Sequence, residues 1–473
     1  MLLCCLVGAA GAIASIVLLN PLPLAGAAGL MVVLTAFYVP RVASLVVLTS
    51  WLGPFAIALF QRRIAGMALG PGDVFLWVGL AGIVVRHLLH AQPLRSGAKP
   101  RFGGVIVAYF GVVLFAATIG VATGNRLGTA SDAILPTSAV LSYFLFREAY
   151  RGRPRTFAQD VFVLSGVLGL ALIASVGLGM AETLGTVIDS VYTRGAVDDT
   201  LRIDAPSQRL AIFGILLFAV GAGPYRGWAY RYRWVLLAGL VGATAMSLTR
   251  STWVPLILLS IVLPALVAPD RIVRRLVTRV TVSAVVGVLA IGLASSGAMG
   301  SWAEGVAGRF TSAAEADVAQ DDSFQQRLVE NEAAARQIDD HPVLGIGFPR
   351  DYGVYVPYND PLTRVTYFAP RVFIHNSYIG VRMWLGIPGV VCLVALGGVL
   401  VATAWDVMIR RRYDPRVPAA ALATIAVLAA TSTFQTHLMY APVHALLAAA
   451  MALIDVHYQA RSRLQPARRR RFA

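Results

Sequence analysis

The chain has 473 residues, of which 57% are hydrophobic and 14% charged, and its mean hydropathy is +0.70. Soluble domains carry charge on about a quarter of their residues, so this balance excludes a soluble globular protein and belongs to one that lives in a bilayer. The net charge of +16 does not indicate nucleic acid, because the basic residues stand in short clusters between apolar runs, as juxtamembrane anchors do.

Crossing the hydrocarbon takes about 20 mostly apolar residues. In chain order, such stretches run over residues 1–19, 22–38, 42–60, 72–89, 102–123, 131–148, 157–180, 209–224, 233–248, 252–268, 280–298, 375–402, 417–436 and 440–457. The expected fold class is therefore all-α, a polytopic membrane protein of about 12–14 transmembrane helices, since the first two pairs of spans are crowded. The first stretch lacks a basic leader region and runs straight into further spans, so it reads as an uncleaved helix. Cys4, Cys5 and Cys392 all lie in apolar stretches without metal-like spacing, which predicts neither a disulfide framework nor a zinc site.

The basic clusters orient the chain. They are Arg86 with Arg95, Lys99 and Arg101; Arg147 with Arg151, Arg153 and Arg155; Arg226 with Arg231 and Arg233; Arg271 with Arg274, Arg275 and Arg279; and Arg410 to Arg412 with Arg416. With fourteen spans all of these fall on one side, together with the tail of Arg461, Arg463 and Arg468 to Arg471. The positive-inside rule makes that side cytoplasmic, with both termini inside a plasma-membrane protein. The tail itself reads as a lipid-headgroup anchor, and Trp228 and Tyr440 as interfacial belt residues.

Most acidic residues then fall outside, in a loop over 181–208 and a larger lobe over 299–374. The expected organisation is a helical block over 1–298, the lobe over 299–374, three closing helices over 375–457 and a basic cytoplasmic tail over 458–473. Loops as long as the lobe carry function or their own structure. Asp322 or Ser323 can cap a lobe helix running to about Asp339, with Phe324, Leu328, Ala335 and Ile338 expected on its apolar face. His341-Pro342 ends that helix, because a residue before proline is pushed out of the α region. Gly345 and Gly347 then permit a tight turn.

Several of these parts form a pattern. Arg327 stands on the lobe helix, Pro342, Gly345 and Gly347 make a Pro-x-x-Gly-x-Gly turn, and His375-Asn376 opens a helix containing Gly386-x-x-Gly389. In this the sequence resembles the O-antigen ligase and Wzy-type polymerase superfamily of membrane glycosyltransferases, over roughly residues 205–400. The family tends to carry Ser-Arg at the outer end of an earlier helix, and here Thr249-Arg250 stands in that place. The resemblance implies a metal-independent, cofactor-free enzyme at the outer face. It would join a polyprenyl-diphosphate-linked glycan to a hydroxyl of a surface lipid or growing polysaccharide; no protein nucleophile is evident, which points to a single inverting displacement.

The candidate residues have physical readings of their own. His375 sits where a polar loop meets an apolar helix, and can accept a proton near neutral pH; the plainer reading is a histidine that caps the helix. Arg250 lies at an outer helix end, either as a snorkelling anchor or as an anion ligand. Arg327 and Arg209 are further candidates for a diphosphate, whose oxygens match the planar guanidinium fork. Arg382, two turns beyond His375, fits a structural ion pair equally well. Glu330, Glu332, Asp339 and Asp340 are expected on solvated faces, and Asp339-Asp340 lacks the Asp-x-Asp spacing of metal-dependent transferases. The alternative function, a transporter or flippase of lipid-linked saccharides, would place charges deep in several spans and break helices at midplane. The polar residues here gather instead at the outer face.

Overall fold

The computed structural model describes residues 34–35, 37–52, 62–64, 67–69, 71–89, 100–124, 127–177, 196–197, 200–201, 206–246, 250–267, 322–359, 366–370, 374–409, 414–433 and 440–469. The expected spans at 1–19 and 280–298, most of that at 22–38, most of the 181–208 loop and residues 299–321 of the lobe lie outside them.

The architecture is an all-α membrane bundle. Its helices are α1 (Pro40–Leu52), α2 (Pro71–Leu89), α3 (Gly103–Ala122), α4 (Leu127–Ser138), α5 (Ser142–Ala149), α6 (Pro154–Gly177), α7 (Pro206–Ala219), α8 (Gly227–Arg231), α9 (Arg233–Met246), α10 (Arg250–Val267), α11 (Asp322–Asp340), α12 (Ser377–Ile409), α13 (Arg416–Thr431) and α14 (Ala441–Arg469). Within α2, α3, α6, α12 and α14 run apolar stretches of 18 residues or more, long enough to cross a bilayer. Shorter apolar helices, α1, α7, α9, α10 and α13, stand beside them. Antiparallel two-stranded hairpins punctuate the loops: β1 (Arg62–Ile64) with β2 (Met67–Leu69), β3 (Ala196–Val197) with β4 (Thr200–Leu201), and β5 (Tyr355–Asn359) with β6 (Thr366–Pro370).

One expected span is two pieces. Residues 131–148 are divided between α4 and α5 by a 3-10 turn over Ala139–Leu141, three residues after Pro136. Proline removes a backbone donor and crowds the preceding turn, so the helix tightens there rather than running straight.

The bundle is centred on α14, whose apolar stretch is 89% buried. Ala445, Ala448, Ala449, Ala450 and Ala452 are fully enclosed, and such small side chains let neighbouring backbones approach closely where lipid supplies no hydrophobic drive. Helices α6, α7 and α9 pack as a second group. Where α6 crosses α9, a Cβ on Gly169 would lie 2.4 Å from the Gly239 carbonyl oxygen.

Among the described residues, Arg101, Arg147 and Arg155 of the basic clusters meet carboxylates at one end of the bundle, while Arg95, Lys99, Arg271 to Arg279 and Arg410 to Arg412 lie outside them. Asp455, 2% exposed, accepts the Tyr143 hydroxyl and the Arg101 amide (3.0 Å), with Arg147 Nε at 3.8 Å. Arg101 also meets Asp406 at 3.2 Å, and Arg155 meets Asp414 at 3.4 Å. Arg41 grips Asp160 through two bonds of 2.5 and 2.6 Å, with the Tyr150 hydroxyl donating to the same carboxylate. Pairing is what makes buried charge tolerable. These contacts tie α1, α3, α5, α6, α12, α13 and α14 together at the end opposite His375.

Candidate functional site

The other end collects helix termini. The amide of Ser377 donates to the Ser432 carbonyl (2.9 Å) and the Tyr378 hydroxyl to Ala429 O (2.7 Å), so the start of α12 is fastened to the end of α13. The Trp253 indole donates to Thr244 O (3.0 Å), hooking the start of α10 to the end of α9. Arg209, in the first turn of α7, lies over the Tyr440 ring at 4.9 Å, just ahead of α14. Tyr440 is therefore a partner within the protein rather than only a belt residue.

Asn376 caps α12, its Oδ1 accepting the amides of Tyr378 (3.1 Å) and Ile379 (3.2 Å). That relieves His375 of the capping role and leaves its ring for other work. Both His375 nitrogens near the lobe address one carboxylate: the backbone amide donates to Glu330 Oε2 at 3.1 Å, and Nδ1 lies 2.9 Å from Oε2 and 3.1 Å from Oε1. Glu330 is fully buried while the His375 side chain keeps 19% of its surface exposed. With Nδ1–H donating to the carboxylate, the lone pair resides on Nε2.

This corrects the solvated placement expected of Glu330. Its helix, α11, buries a different stripe from the one its large apolar residues suggest. Leu328 is 46% exposed and Ala335 is exposed, whereas Glu330 and Ala334 are enclosed and Ile338 is half-buried. The side chain of Phe324 lies outside the described residues. Alanine lets α11 lie close against α12, and the close contact decides the face. Three consecutive alanines, Ala333 to Ala335, leave the face unmarked in the sequence; in the structure, one turn back from the enclosed Ala334 stands Glu330, and one more reaches Arg327. Glu332 pairs outward with Arg336 at 2.6 Å, and Asp339 and Asp340 are exposed as expected.

After α11 the chain turns at Gly345 (φ 72°) and Gly347 (φ 85°) and docks into a break in α12 at Gly386 (φ 63°, ψ −153°). Ile346 N–H donates to Met383 O (2.9 Å), and Ile387 N–H donates to Val343 O (2.8 Å), so the interrupted helix finds its partners in the loop. A Cβ on Gly386 would lie 2.2 Å from Val343 O, and one on Gly345 would lie 2.5 Å from Met383 O, so both approaches require glycine. Phe348 N–H donates to Ala116 O of α3 (3.0 Å), and the Trp384 indole donates to Arg350 O (3.0 Å). The lobe helix, its turn and α12 thus form one unit, fixed above by Glu330–His375 and below by Val343–Ile387.

Residues 234–394 match the family model described as O-antigen ligase. This segment belongs to the O-antigen ligase family. The match covers about a third of the chain and supports an O-antigen ligase-type glycosyltransferase role in general terms. No curated protein matches it. The matched segment takes in α9 from Trp234, α10, α11, the docked turn and α12 through Val394, and therefore His375, Glu330, Arg327 and Arg250. Arg209 lies before it.

Arg327 is one turn ahead of Glu330 on the same side of α11, half-buried, with Nε enclosed and no acceptor among the described residues. Arg250 is the first residue of α10, at the same end of the bundle. Chain direction thus brings His375, Arg327, Arg250 and Arg209 to one end of the bundle. The contact between His375 and Glu330 is direct.

Proposed function

We propose that this ligase-type enzyme transfers a polyprenyl-diphosphate-linked glycan to an acceptor hydroxyl at the outer face of the plasma membrane, with His375 as general base. The observation that carries this reading is the bond from His375 Nδ1 to the buried Glu330 carboxylate, which directs the basic lone pair to Nε2 and supports the imidazolium as it forms. The acceptor oxygen attacks the anomeric carbon and its proton passes to Nε2. The bond from that carbon to the diphosphate oxygen breaks, and the electron pair leaves with the diphosphate. Arg327 and Arg250, with Arg209 behind them, meet the growing negative charge; aimed cations at such a point are commonly the largest single catalytic term. The positive-inside distribution of arginine supports the outward placement of this end.

The test separates base from anion ligands. His375→Ala retains affinity for the lipid diphosphate donor while single-turnover transfer falls by about 10²-fold or more. Arg327→Ala and Arg250→Ala weaken donor binding as well as slowing transfer, and Arg→Lys recovers little because the bidentate fork is lost. Near-normal turnover in His375→Ala removes the base; near-normal binding in both arginine variants removes the anion site.

A further inference from the structure

Helix α12 has 33 residues, about 50 Å of helix against a hydrocarbon core of about 30 Å, so part of it must stand outside the bilayer. The break at Gly386 marks where. Beyond it the helix shows lipid-facing apolar side chains: Ile387 (46% exposed), Val391 (58%), Val394 (69%) and Val401 (70%). Before it, Ser377 and Tyr378 bond to the end of α13, and Val381, Met383, Trp384 and Leu385 are buried in one cluster with Ala334 of α11, the docked turn and α3. The membrane boundary therefore falls near Gly386, and Arg382 stands one turn to its polar side.

The ion-pair reading of Arg382 finds no partner among the described residues. Among the described residues it meets no carboxylate, and its Nη1 is enclosed without a hydrogen-bond acceptor, although the side chain is half-buried. Its neighbours along the helix are Ile379, packed with the α11 cluster, and Gly386, where the loop docks, so it belongs to the α11 side of α12. It lies about 10 Å below His375 along the axis. A guanidinium held half-buried at a lipid headgroup's depth without a countercharge suits an anionic ligand that arrives from the membrane.

We infer that Arg382 is an additional ligand of the donor's diphosphate, placed on the membrane side of the base, so that the lipid enters along the lower half of α12 and the sugar reaches His375. This rests on the proposed transferase reading. The shared chemistry is a membrane-borne phosphate, and an anionic phospholipid headgroup is the competing source.

The experiment measures binding of polyprenyl diphosphate, polyprenol and phosphatidylglycerol to the full-length protein in neutral detergent, for wild type, His375→Ala, Arg382→Gln and Arg382→Lys. Wild type and His375→Ala bind the diphosphate equally. Arg382→Gln binds it at least 10-fold more weakly, Arg382→Lys falls between, and polyprenol binding is the same throughout. Should Arg382→Gln misfold, Arg382→Lys decides through the same ratio of diphosphate to polyprenol affinity. Undiminished diphosphate binding in a folded Arg382 variant overturns the inference alone. An Arg382-dependent response to phosphatidylglycerol that polyprenyl diphosphate fails to displace also overturns it. A wild type that binds no polyprenyl diphosphate overturns the transferase reading itself.

Discussion

At the scale of residues, the site is a histidine and a carboxylate that arrive from elements 45 positions apart. The carboxylate does two jobs at once. It accepts the His375 backbone amide, which sets the position of the residue, and it faces Nδ1, which sets the tautomer. Glu330→Gln keeps the volume of a fully buried side chain but removes its charge. Donor affinity is expected to stay within about twofold, while the transfer rate falls by about 10²–10⁴-fold, as for other carboxylates that orient a catalytic imidazole. A purely structural loss would reduce the amount of active enzyme without altering its pH–rate profile. A positioning role changes that profile, so measuring it for the variant and for Glu330→Asp distinguishes the two. Unchanged turnover in Glu330→Gln would leave His375 without its proposed orienting partner.

Glycines govern the next scale, that of elements. Gly345 and Gly386 meet backbone to backbone, with positive φ on both sides of the contact. An alanine at Gly386 would place its Cβ against the Val343 carbonyl and hold an unfavourable φ, at a cost of about 1–3 kcal/mol. The prediction is that Gly386→Ala lowers the unfolding temperature in detergent and loses activity in proportion, because the lobe helix is displaced from His375. Gly397, whose added Cβ meets nothing within 4 Å, is the control on the same helix, and Gly397→Ala is expected to behave as wild type. Equal behaviour of the two variants would show that the docked turn does not hold the site.

Considering the whole molecule, one end of the bundle is fastened by buried ion pairs around Asp455 and Asp160, and the other carries the proposed transferase site. The functional end is left with arginines that lack carboxylate partners, Arg327 and Arg382 among the described residues. The orientation proposed from the basic clusters has a direct check. A cysteine in place of Ser323, in the first turn of α11, is expected to react with an impermeant thiol reagent on intact cells. One in place of Arg463, near the end of α14, is expected to react only after permeabilisation. The reverse pattern would turn the site toward the cytoplasm and remove the outer-face reaction.

The sequence by itself determined the membrane character and the all-α class, because apolar length and basic punctuation are local properties that survive without knowledge of packing. It also marked His375, Arg327, Gly345, Gly347 and Gly386, since a motif of special residue types is visible at any depth in the fold. Only the tertiary structure decided which face of α11 is buried, because close approach favours Ala334 over the larger Leu328. For the same reason Glu330 could not be told from Glu332 in the sequence: they differ only in what packs against them. The pairing of Arg209 with Tyr440, and the lack of an acceptor for Arg382 Nη1 among the described residues, depend likewise on neighbours distant in the chain. Which counterpart a charge finds within the fold is a property of the assembled molecule alone.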